Sequence, residues 1–111
     1  MITIELQSSS KEYVRAAVAA SRDDVLSGVP KFAFNIEQDD DALAFVVGSW
    51  YSAEKTIEFV DDKWQEAYVA QVPVGPGTSS VFVSGTTYFM YVKVDMGAQA
   101  PVKLAGKVKV L

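Results

Sequence analysis

Phe82-Val83-Ser84-Gly85-Thr86-Thr87-Tyr88-Phe89-Met90-Tyr91-Val92-Lys93-Val94 is the stretch whose reading decides the fold. Ser84-Gly85-Thr86 is a turn, because small polar residues and glycine accept backbone angles that larger residues avoid. From Tyr88 onward the pattern has period two, which is the signature of a strand. Successive side chains on a strand point to opposite faces. Tyr88, Met90, Val92 and Val94 therefore share one face, and Phe89, Tyr91 and Lys93 the other.

This segment resembles the E–F corner of immunoglobulin-like and fibronectin type III-like sandwiches. In those domains a tyrosine at the strand start packs its ring in the core. Its hydroxyl bonds backbone a few residues upstream. Tyr88 and Gly85 carry that likeness here, which implies that Tyr88, Met90, Val92 and Val94 point inward and Phe89, Tyr91 and Lys93 outward. The cysteine pair and strand-C tryptophan of antibody domains are missing, so the resemblance is to the fold and is silent on function.

Outward from this corner the rest of the chain also reads as short strands. Ile2 to Leu6 alternates. Tyr13 to Ala20 does too, although its alanines leave a helix over residues 11–20 as an alternative. Lys31 to Glu37 is a strand with Phe32, Phe34 and Ile36 inward and Lys31, Ala33, Asn35 and Glu37 outward. Leu43 to Ser49 is an apolar strand that ends at Trp50-Tyr51. Lys55 to Val60 places Ile57 and Phe59 on one face. Asp61-Asp62-Lys63 is a hairpin-like turn. Trp64 to Val74 sets Tyr68, Ala70, Val72 and Val74 on one face, and Gly75-Pro76-Gly77 stops it. Val81 to Val83 is a short strand and Lys107 to Leu111 the last. Eight or nine strands with turns between them predict an all-β, antiparallel β-sandwich, with residues 1–111 as a single domain. Parallel α/β folds need helical crossovers, and none is visible.

Composition narrows the function classes. The 111 residues hold no His and no Cys. Disulfides, thiolate nucleophiles, imidazole bases and the usual zinc ligands are thereby excluded. The chain is not expected to be an enzyme or to hold a cofactor or metal. Net charge is −4, which argues against nucleic-acid binding because phosphate backbones attract basic surfaces. The longest apolar run is far short of the ~20 residues of a membrane helix. The N-terminus lacks the basic start of a secretory signal. Charge is uneven. Residues 23–66 hold 11 acids against Lys31, Lys55 and Lys63, a balance of −8, while residues 67–111 are +3. Solvated loops account for such clustering. Head-to-tail pairing between copies, acidic region to basic region, is the sharper alternative.

The second half resembles a narrower group. In order it shows Trp64, Tyr68-Val69-Ala70, Val74-Gly75-Pro76-Gly77, Ser84-Gly85-Thr86-Thr87-Tyr88, Val92-Lys93-Val94, Ala100-Pro101-Val102 and Ala105-Gly106-Lys107-Val108. Glu12-Tyr13-Val14-Arg15 adds to the set. Together these are similar to small Ig-like virion proteins of tailed actinobacteriophages from the head and head–tail connection region. The likeness covers about two-thirds of the chain and is weaker over residues 38–63. It implies a non-enzymatic virion structural protein at the head–tail neck or connector, or a decoration protein on the capsid surface. Its partners would be capsid, portal or neck subunits and copies of itself. Its location would be the virion, assembled in the host cytoplasm.

Asp39-Asp40-Asp41 and Asp61-Asp62 are read as solvated turns, since neither matches a calcium-binding loop. The 13 aromatics matter more. Under strict alternation Trp50, Tyr51, Trp64, Phe89 and Tyr91 cannot all be core. These five and Lys93 are the candidate interface residues, because aromatics are favoured anchors between subunits. A neighbouring segment of the same chain would cover them equally well. The competing function is a carbohydrate-binding module for host-surface attachment. It requires two or three coplanar exposed rings.

Overall fold

The computed structural model describes residues 2–19, 25–38, 43–95 and 102–111. Among the described residues nine strands are present: β1 (Ile2–Leu6), β2 (Glu12–Ala19), β3 (Val29–Asn35), β4 (Val46–Val47), β5 (Ser49–Trp50), β6 (Thr56–Val60), β7 (Lys63–Val74), β8 (Thr87–Asp95) and β9 (Lys103–Val110). One 3₁₀ turn spans Val25–Ser27. Among the described residues no helix is long and apolar enough to cross a membrane.

The strands form two sheets, β1-β9-β8-β3-β4 and β2-β7-β5, with β6 also paired to β7. All pairings are antiparallel except β1 with β9. The orders β2-β7-β5 and β9-β8-β3 correspond to B-E-D and G-F-C of an immunoglobulin-like sandwich. The alternation expected on each strand supplies the interior. Val14 and Ala16 of β2, Ala70, Val72 and Val74 of β7, Phe32 of β3, Met90 and Val92 of β8, and Val108 and Val110 of β9 pack as one core. Burying each valine or phenylalanine contributes about 1.5–3 kcal/mol.

The tyrosine corner is built as expected. The Val83 N–H donates to Tyr88 Oη at 3.0 Å. Gly85 sits at φ 80°, a left-handed conformation that costs glycine nothing. Phe82 is buried beneath the corner, 5.0 Å from the Phe34 ring and 4.6 Å from that of Tyr88. Residues 81–83 nonetheless join no ladder. They are held by this packing rather than by a strand partner, which corrects the expected short strand.

The strand expected from Tyr13 is present as β2, all eight residues of which pair with β7, and the helix alternative falls. Three further expectations change. Leu43 to Ser49 is not one strand. The chain leaves β4, on the first sheet, and enters β5, on the second, through Gly48. Ile36 lies past the end of β3 and is exposed. The last strand begins at Lys103 rather than Lys107, since β8 offers partners as far as Val92.

Candidate interaction surface

The six candidate residues do not form one patch. Trp50 is half-buried against the core, and its indole N–H donates to the Gly28 carbonyl at 3.2 Å. Its ring meets Tyr68 edge-on at 6.1 Å. It is spent on holding β5 to the domain. Tyr91 was expected outward but is only 4 % exposed. By alternation it does lie on the outer face, opposite Ala33. The chain's own atoms cover that face here. The ladder with β9 shifts beside Tyr91, stepping from Gly106 to Leu104. The extra residue, Ala105, increases the local twist.

Lys93 is also engaged within the chain. Its ammonium lies 4.3 Å from the Phe45 ring centroid and 3.8 Å from Asp95. Asp95 bonds Lys31 more closely, at 2.5 Å. The hydrogen bond from Lys31, and then the positive charge of Lys31 and Lys93, hold the Asp95 carboxyl below its ordinary pKa against the opposing effect of desolvation. Phe89 is half-buried with Lys107 at 5.5 Å. Tyr51 is 54 % exposed, and the Arg15 guanidinium lies 4.0 Å over its ring. Such a cation–π contact leaves one ring face occupied.

Trp64 stands apart. It is 71 % exposed and meets Phe59, itself 47 % exposed, edge-on at 5.5 Å. Ile57, 61 % exposed, follows on the same face of β6. The geometry has a local cause. Asp61 and Asp62 have φ values of 53° and 62°, so β6 and β7 are joined by a two-residue turn with both residues left-handed. That turn matches the natural twist of a hairpin. It sets Val60 opposite Lys63 and therefore Phe59 opposite Trp64.

The exposure of the pair follows from strand length. β7 has 12 residues, and β2 covers only the eight from Ala67 to Val74. Lys63 to Glu66 overshoot. By alternation Trp64 continues the face that buries Tyr68, Ala70, Val72 and Val74. Phe59 and Val60 also line a groove of about 650 Å³ that reaches Ala17, Val94 and Lys103. Of the ridge residues Phe59 lines this groove, whose walls are both apolar and charged.

Ile57 and Phe59 were not among the expected interface residues. A signal for them existed. A two-residue turn at Asp61-Asp62 pairs Phe59 with Trp64 by counting alone. The Asp61-Asp62 carboxylates sit at the exposed tip of this turn, while Asp39-Asp40-Asp41 lies outside the described residues. Among the described residues no three of His, Cys, Asp and Glu come together as a metal site.

The −8 region divides in the same way. Glu37 lies past the Asn35 end of β3, and the hairpin acids lie at the opposite end of the sandwich. Comparison of the chain with protein-family models, curated proteins and solved structures finds no match.

Proposed function

We propose that this chain is a non-enzymatic structural protein of a tailed-phage virion, packing on neighbouring subunits at the head–tail neck or on the capsid surface. The observation that carries a packing role is the hairpin ridge Ile57–Phe59–Trp64, an aromatic surface left uncovered by its own domain. Monomeric proteins rarely leave contiguous apolar surface open, and such patches mark contacts with partners. The virion setting rests on the ordered likeness from Trp64 to Val108. Carbohydrate binding is less well supported. The Phe59 and Trp64 rings are inclined at 61°, whereas a sugar platform needs coplanar rings, and the Arg15 side chain covers one face of Tyr51.

The test is the protein content of purified virions that encode the chain. It is expected in particles at a fixed copy number, with neck or capsid density that fits a sandwich of 38 × 28 × 25 Å. Its absence from purified particles refutes the assignment.

A further inference from the structure

We propose that the β6–β7 hairpin of one copy docks on the β8–β9 sheet of another, on its outer face at the end that carries Lys107 and Lys109, joining copies head to tail. This deepens the packing role above by naming a partner and the two surfaces. The hairpin presents the ridge Ile57–Phe59–Trp64 within an acidic frame. Residues 54–66 hold five acids against Lys55 and Lys63, and Lys55 is only 4.0 Å from Glu66.

The outer face of the other sheet is its complement. Lys107 and Lys109 stand opposite Phe89 and Thr87 on the side away from the core. Farther along the face Lys31 and Lys93 pair across β3 and β8, but Asp95 holds both within the chain, beside the covered Tyr91. Against Lys107 and Lys109 this end of the face carries Glu5, opposite Lys109. The half-buried Phe89 ring lies among them as an apolar contact for the ridge.

The two surfaces cannot meet within one copy. The hairpin extends from the sheet β2-β7-β5, and the basic face points away from that sheet. Contact is therefore between copies and joins unlike surfaces, which builds rings or open filaments rather than closed pairs. The two rings offer little area. Taking about 150–250 Å² per aromatic, Trp64 presents roughly 180 Å² and Phe59 roughly 90 Å². A stable interface needs about 800 Å² per partner. A single contact is therefore weak, and repetition through many copies gives it strength.

The test is sedimentation of the full chain over a wide concentration range, with Trp64 fluorescence as the second readout. The wild type is expected to associate reversibly. Raising salt from about 0.05 to 0.5 M should weaken association at least tenfold, because screening shortens the reach of the charges. Trp64 emission should shift to the blue as the ring leaves water. Glu54→Lys/Glu66→Lys and Lys107→Glu/Lys109→Glu should each remain monomeric, with melting temperatures near that of the wild type. Mixing these two variants should restore association in a one-to-one ratio, because the swapped charges again attract.

A wild type that is monomeric at every concentration overturns the proposal. So does association that is insensitive to salt, unchanged in Trp64→Ser, or not restored by mixing. Because particle content is measured separately, failure here leaves the virion assignment standing on its own test.

Discussion

Gly48→Ala tests how the chain changes sheets. At Gly48 the backbone crosses from β4 to β5 and passes directly over the core. A Cβ at this position would lie 2.5 Å from the Gln71 carbonyl oxygen and 2.9 Å from the Phe32 ring. Neither neighbour can yield cheaply. The carbonyl belongs to the backbone of β7, the central strand of its sheet, and Phe32 is fully buried. Relief to ordinary contact near 3.4 Å requires the crossing to move by almost an ångström. β5 holds it to β7 by only two residues.

Overpacking of this kind costs about 1–3 kcal/mol. Against it stands the entropic gain of replacing glycine, about 0.4–1 kcal/mol, through the unfolded chain. The clash wins because one of its partners is backbone. A net loss of about 1–2 kcal/mol is expected. At about 4–8 °C per kcal/mol for a domain near this size, the melting temperature should fall by roughly 10 °C. Equilibrium urea unfolding followed by tryptophan fluorescence reads the effect, with Trp50 two residues away as reporter. The midpoint should fall while the slope stays constant. A midpoint equal to or above that of the wild type would refute the argument, because the entropy term alone would then have decided.

Tyr88→Phe removes the hydroxyl that accepts from the Val83 N–H and should cost about 1 kcal/mol in the same assay, with the core packing of the ring retained. Asp61→Asn/Asp62→Gly places the preferred residues at two left-handed positions and should raise stability by about 0.5–1 kcal/mol; a lower melting temperature would contradict the turn assignment. Asp95 has a depressed pKa, chiefly from the Lys31 hydrogen bond. Its carboxylate therefore favours the fold above its unfolded pKa of about 3.9. That contribution is lost as pH falls below about 4 and through the lower folded value. Asp95→Asn should flatten this part of the pH–stability curve, and an unchanged acid limb would show that Asp95 does not contribute to it.

The faces of the strands were legible in the sequence to a useful degree. Val14 and Ala16, Ala70, Val72 and Val74, and Met90 and Val92 are all inward as their spacing requires. The corner at Gly85 and Tyr88 was readable because turn chemistry and a ring at the strand start are local features. The interaction surface was less legible. Trp50 and Trp64 are both tryptophans beside apolar strands, yet one is a core prop and the other a free ridge. Their local sequence does not separate them. What separates them is that Trp50 pairs opposite Ala70 in the middle of the sheet, whereas Trp64 lies beyond the last residue that β2 covers.

Tyr91 teaches the converse. Alternation places it on the outer face, opposite Ala33. Outward did not mean exposed, because the chain closes over that part of its own sheet. Ile36 failed for a related reason: the strand stops at Asn35, so period two has no sheet left on which to act.

The sequence by itself determined that this chain is built of strands, which side chains share a face within most of them, that Gly85 and Asp61-Asp62 make turns, and that catalytic imidazole and thiol groups are absent. All of these depend on near neighbours in the chain, through backbone geometry and the two-residue repeat. Only the tertiary structure decided where the chain changes sheets, which faces are covered, and that the uncovered ridge is Ile57, Phe59 and Trp64. Those outcomes depend on how far one strand outreaches its partners, a relation between distant segments that no local pattern contains.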